Sequence, residues 1–101
     1  MSFQAIGIRE IETYLNRPNT SLIDLRSREE YELCHFEGAR NIPYDELFEH
    51  KQYLSKNMAY ILYCERGGSS LMAAKELSQE GFQVYTVVGG IRAWQETKGY
   101  D

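Results

Sequence analysis

Ile8, Ile11, Tyr14 and Leu15 recur at the spacing of one helical face, with Gly7 at the N-cap position and Pro18 closing the segment. The pattern then shortens. Ser21-Leu22-Ile23-Asp24-Leu25 is a compact apolar run behind the turn-forming Pro18-Asn19-Thr20 and predicts a buried strand. Ser27 through Leu33 predicts a short helix, with Ser27 as N-cap and Glu30 three positions on completing a capping box. Gly38-Ala39-Arg40-Asn41-Ile42-Pro43 predicts a brief strand that stops at proline, which cannot donate to a central ladder. A second short helix is expected from Tyr44 to Phe48 or beyond.

Ala59-Tyr60-Ile61-Leu62-Tyr63 is the clearest strand, continuously apolar, β-prone and therefore buried on both faces. It leads straight into Cys64-Glu65-Arg66-Gly67-Gly68-Ser69-Ser70. A helix is then expected to run to Glu80, with Leu71, Ala74, Leu77 and Ser78 on one stripe and Gly81 as its stop. Val84 to Val88 predicts another buried strand, followed by Gly89-Gly90 and a last helix from Ile91 to Lys98. No repeat, low-complexity tract or linker interrupts this order, so residues 1–101 read as one domain. Strands alternating with helices predict an α/β fold with a mostly parallel sheet covered on both faces. Ligands of such sheets collect beyond the carboxyl ends of the strands. Three segments leave those ends and are expected to meet at one rim: Asp24-Leu25-Arg26, the loop from Cys64, and Gly89-Gly90.

Composition narrows the partners. Hydrophobic residues make up 43% and charged residues 26% of the 101, an ordinary globular balance, and the formal net charge is −4. With no basic block, nucleic acid and anionic lipid are disfavoured as partners, and no apolar run approaches the ~20 residues of a membrane span. An anionic substrate would depend on local positive features, which makes arginines near a site informative. Cys34 and Cys64 are too few for a disulfide framework, and no His/Cys cluster has metal-site spacing, so neither a metal nor a cofactor is expected. The N-terminus lacks the apolar run of a signal peptide. A soluble chain in the reducing cytoplasm, where a thiol stays free, is the expectation.

Cys64 stands between a buried strand and a helix. The thiolate is the reactive form of cysteine, and the free amides and dipole of a helix N-terminus favour it. Gly67 and Gly68 let the backbone curl so that successive amides point inward as an anion-binding nest. Ser69 or Ser70 is placed to cap the helix, and Arg66 adds a positive charge that would draw an anion; Glu65 opposes this wherever it faces the thiol. The bland alternative is a buried small apolar residue beside a glycine turn. The joint occurrence of strand, cysteine, glycine loop and helix favours chemistry.

At this point the chain resembles a single-domain member of the rhodanese family, over essentially its whole length. Leu22-Ile23-Asp24-Leu25-Arg26, Glu29-Glu30-Tyr31 and His35-Phe36-Glu37-Gly38-Ala39-Arg40-Asn41-Ile42-Pro43 match the family's first signature. Ile61-Leu62-Tyr63-Cys64 opens its active-site loop, and Gly81-Phe82, Val84-Tyr85 and Gly89-Gly90-Ile91-Arg92-Ala93-Trp94 match its closing segment. The resemblance implies a parallel five-stranded sheet flanked by helices. It implies a sulfurtransferase in which Cys64 takes the outer sulfur of thiosulfate or a related anionic sulfane donor as a persulfide. The sulfur then passes to a thiol or cyanide acceptor, and a protein donor or acceptor is compatible with this. Amides of residues 65 to 69 would hold the persulfide anion.

Two positions depart from the family's pattern. Thiosulfate sulfurtransferases commonly carry arginine where this chain has Ser69, leaving Arg66 as a substitute pointing another way, and Cys34 replaces the glycine usual before the signature histidine. The resemblance also suggests that Asp24 and Arg26 form a structural ion pair bracing the loop. His35 is expected to bond backbone, Trp94 to join the core, and Gly89-Gly90 to form a turn that shapes the pocket wall. The eight tyrosines read as packing at half-exposed positions. Cys34 would resolve a persulfide as a disulfide only if the two Cα atoms came within about 7 Å. A cysteine phosphatase or arsenate reductase of related fold needs arginine where Ser70 stands. A non-catalytic sulfur-binding or regulatory module is the remaining alternative.

Overall fold

The computed structural model describes residues 2–97. Its strands are β1 (Gln4–Ile6), β2 (Thr20–Asp24), β3 (Arg40–Asn41), β4 (Ala59–Tyr63) and β5 (Gln83–Val87); its helices are α1 (Ile11–Leu15), α2 (Arg28–Leu33), α3 (Tyr44–His50), α4 (Gly68–Gln79) and α5 (Gly90–Thr97). The strands form one sheet in the order β1-β5-β4-β2-β3, and every pairing is parallel. The five-stranded sheet implied by the resemblance is therefore present. No helix among the described residues is long and apolar enough to cross a membrane.

Alternation along β4 explains why both faces are covered. Tyr60 and Leu62 point to a layer completed by Leu47 of α3 and Ala73, Ala74 and Leu77 of α4. Ile61 and Tyr63 point to the other, completed by Ile11 and Tyr14 of α1 and Ile91 of α5. A strand with neighbours on both edges and side chains buried on both faces must be apolar throughout, as this one is.

Several elements differ from expectation for local reasons. The first helix is a 3-10 turn over Ile8–Glu10 running into α1, and the Gly7 N–H donates to the Glu10 carboxylate at 2.9 Å. The strand expected over Gly38–Pro43 shrinks to Arg40–Asn41, because only those residues pair with β2. β1 was not expected from the residue pattern: it is three residues long, two of them exposed, and carries no alternation to read. Leu71 lies outside the buried stripe of α4 and is exposed, whereas Ala73 is fully buried. Val88 is exposed beyond the end of β5. The tyrosines are not uniformly half-exposed either: Tyr60 and Tyr63 are buried, and Tyr53 is exposed. Lys98 and Tyr100 lie outside the described residues.

Candidate active site

The carboxyl ends of β2 and β4 and the start of α5 meet at one rim. The Leu25 N–H donates to the Tyr63 carbonyl at 2.9 Å, and the Ile91 and Arg92 amides donate to the carbonyls of Cys64 and Glu65 at 3.0 and 3.1 Å. The three segments expected to converge do so.

Beyond β4 the chain turns sharply at Gly67, which takes φ +109 and serves as the N-cap of α4 without a side-chain cap. Neither Ser69 nor Ser70 caps the helix. Ser70 is fully buried instead; its hydroxyl donates to the Gly67 carbonyl at 3.2 Å and accepts from the Thr86 hydroxyl at 2.7 Å. This wrap aims two amides at the thiol: the N–H groups of Gly67 and Ser70 lie 3.1 and 3.3 Å from Cys64 Sγ. Gly67 falls within the expected span of 65 to 69 and Ser70 just beyond it. Gly68 opens α4 with open space around a would-be side chain, so its glycine is not required by crowding.

Although Cys64 is only 5% exposed, it lines an open cavity of about 420 Å³ shared with Leu25, Arg26, Ser27, Glu30, Glu65, Arg66, Gly68 and Ser69. Cys64 is thus sheltered, at the edge of an open cavity.

Under this rim lies a charged core. The buried Asp24 carboxylate accepts from the Arg26 backbone amide at 2.8 Å and from the Arg26 guanidinium at 2.9 Å. It also accepts from the Tyr63 hydroxyl at 2.7 Å, which in turn accepts from the Phe36 amide at 3.1 Å. Burial of a charge at this depth is tolerated only with such complete pairing. Burial first, then the hydrogen bond and charge of Asp24, hold the Tyr63 phenol well above the ordinary tyrosine range, against smaller opposing effects of the Phe36 amide and Arg26. For Arg26, burial alone would lower the guanidinium, but its hydrogen bonds to Asp24 and the charge of Asp24 outweigh that and raise it. Arg26 also donates to the Cys34 carbonyl, and Asn41 ties the turn by donating to the carbonyls of Asp24 and Arg26 at 3.1 and 2.9 Å.

Glu65 does not oppose the thiol unpaired. Its carboxylate lies 2.9 Å from Arg92 Nε and 3.7 Å from Arg26 Nη1. Arg66 is exposed at the cavity wall.

Other expected residues sit elsewhere. The ring of His35 stacks on Tyr31 and its Nδ1–H donates to the Tyr31 carbonyl at 2.7 Å, away from the cavity lining. Gly89 and Gly90 are not part of the pocket wall but lie behind the loop, where a Cβ on Gly90 would come within 2.4 Å of the Cys64 carbonyl oxygen. Trp94 is half-buried against Phe36. Both cysteines are free; Cys34 packs into the α1–α5 layer and Cys64 into the opposite one. No local motif marks Tyr63, Thr86 or Arg92, because each meets its partner at the rim, Asp24, Ser70 or Glu65, from a position distant in sequence. Among the described residues no cluster of three His, Cys, Asp or Glu side chains could hold a metal.

The Rhodanese-like domain matches over residues 8–97. The chain is similar to the thiosulfate sulfurtransferase GlpE of Tolumonas auensis, 28% identical over 99 residues, with 97% of this chain and 93% of that protein covered. Among solved structures, a rhodanese-related protein from Thermoplasma volcanium superposes with a TM-score of 0.85 at 28% identity, covering 98% of this chain and 96% of that one. Reduced CoADR-RHD of Bacillus anthracis gives the same TM-score at 26% identity over 92% of this chain, which spans only 16% of that larger protein.

Proposed function

The chain belongs to the rhodanese-like domain family, and from that premise we propose that Cys64 carries sulfane sulfur as a persulfide between a donor and a nucleophilic acceptor. The Cys64 thiolate attacks the donor's outer sulfur, the donor's S–S bond breaks, and its electron pair leaves with sulfite when the donor is thiosulfate. The enzyme keeps Cys–S–S⁻. A thiol or cyanide then attacks the terminal sulfur and returns the thiolate, with no external oxidant or reductant.

One observation carries this reading: two backbone amides converge on the sulfur of a cysteine that lines an open cavity. Amides fixed in a turn stabilise a sulfur anion without reorganising and leave its outer side clear for a second sulfur. Asp24, Arg26 and Tyr63 act as the brace beneath, while Gly67 and Ser70 form the cradle. A phosphatase is disfavoured because Ser70 stands where that chemistry needs arginine, and its hydroxyl is turned inward to Thr86. Free thiols suit a reducing compartment such as the cytoplasm.

The test is to incubate the protein with thiosulfate and weigh it. The expected result is a gain of one sulfur atom, removed by cyanide and absent in Cys64→Ser. No gain in the native protein, or an equal gain in Cys64→Ser, would overturn the proposal. Partner binding that survives Cys64→Ser without any sulfur uptake would identify a non-catalytic module instead.

A further inference from the structure

The cavity wall carries two guanidinium groups, Arg26 and Arg66, and two carboxylates, Glu30 and Glu65, so its formal charge is balanced. Arg26 is already engaged: Asp24 takes one edge of the guanidinium and the Cys34 carbonyl shares it, while Glu65 lies against Nη1. Arg92, which could otherwise lean toward the rim, holds the other oxygen of Glu65. Of these three arginines, Arg66 alone makes no ion pair with a described residue. An incoming dianion would normally be drawn to such guanidinium groups. Here the chain's own carboxylate, on the residue next to the nucleophile, already stands between two of them.

Building on the reading of Cys64 as the sulfur carrier, we infer that Glu65 is a specificity-determining residue that turns the site toward sulfane donors of little or no net negative charge. A dianionic donor must approach beside an anion and finds Arg26 and Arg92 already held by it, which leaves Arg66 as the one unpaired guanidinium of the three to draw it. A zwitterionic donor meets no such penalty. The chemistry at sulfur is the same for both, since the thiolate takes the outer sulfur and the electron pair of the broken S–S bond leaves with sulfite or an alkylsulfinate.

The experiment compares sulfur loading from thiosulfate and from zwitterionic 2-aminoethanethiosulfonate in the native protein, Glu65→Gln and Glu65→Asp. Glutamine keeps the size and the acceptor for Arg92 while removing the charge, and the side chain is 40% exposed, so the fold is not at stake. The thiosulfate-to-zwitterion ratio of kcat/KM is expected to rise about tenfold in Glu65→Gln, the effect of one removed charge on two units of donor charge at close range in water-like screening. The change should lie mainly in KM and shrink as salt is added. Glu65→Asp should keep the native ratio within about twofold, since it retains the charge. An unchanged ratio in Glu65→Gln, or equal shifts in the Gln and Asp variants, would sink the inference while leaving Cys64 as carrier. Failure of the native protein to load sulfur from either donor would overturn both.

Discussion

Gly90→Ala tests how the last helix supports the Cys64 loop. Gly90 has φ +61, a left-handed conformation that costs a residue with a side chain about 1–2 kcal/mol. The added methyl would also stand 2.4 Å from the Cys64 carbonyl oxygen and 2.5 Å from that of Glu65. Both are backbone atoms, so relief requires moving the Cys64–Glu65 peptide or the helix by roughly half an ångström or more. The same two oxygens accept the Ile91 and Arg92 amides at 3.0 and 3.1 Å, and weakening those bonds adds up to about 1 kcal/mol each. A total near 3–4 kcal/mol is expected, a large share of the ~5–15 kcal/mol that holds a typical domain folded. Gly38→Ala supplies the control. Gly38 is also left-handed, at φ +87, but nothing lies within 4 Å of its would-be Cβ, so only the conformational cost of about 1–2 kcal/mol applies. Urea denaturation at matched m-values measures both, and Gly90→Ala should be the more destabilised by about 2 kcal/mol. It should also load sulfur more slowly from thiosulfate while Gly38→Ala loads normally. Equal losses of stability in the two variants would refute the role given to the α5 start.

Tyr63→Phe removes a hydroxyl that donates to Asp24 and accepts from the Phe36 amide, and should cost about 2–3 kcal/mol by denaturation at neutral pH. Because the Tyr63 phenol is raised in the fold, its stabilisation is fully present below the unfolded-state value near pH 10 and is lost as pH climbs above it, at about 1.4 kcal/mol per pH unit. The gap between native protein and Tyr63→Phe should therefore narrow between about pH 10 and 11, and a constant gap there contradicts the assignment; the other tyrosines titrate in both proteins and cancel. Thr86→Val deprives the buried Ser70 hydroxyl of its donor and should cost about 1 kcal/mol while slowing sulfur loading, with Thr86→Ser restoring both. Unaltered loading in Thr86→Val would mean that the cradle holds without this support.

What was legible in the sequence was whatever a short window encodes. The Ser27–Glu30 capping box is present as read, with the Glu30 amide donating to Ser27 Oγ at 3.2 Å. Ala59–Tyr63 is a strand at the expected residues, since burial on both faces leaves an unbroken apolar run. The cysteine loop was legible as strand, cysteine, glycine turn and helix. Its detail was not. Ser70 reads as a helix cap by residue type, but the facing hydroxyl of Thr86, a residue of β5, draws it inward. Tyr63 reads as core packing, yet its hydroxyl completes the shell of a carboxylate on β2. Glu65 reads as a charge opposing the thiol until Arg92 is seen holding it. In each case the deciding partner arrives through the parallel crossovers, which place distant segments side by side and leave no local trace.

The amides that grip the carbonyls of Cys64 and Glu65 belong to Ile91 and Arg92, and this has a bearing on protein synthesis. Cys64 leaves the ribosome before the residues whose amides fasten its loop from outside. A growing chain with β4 and α4 already formed would still hold a slack loop around its sulfur, tightened only when α5 docks. The final shape of the loop thereby waits on completion of folding, because its two outer carbonyls find their partners only when the last helix arrives.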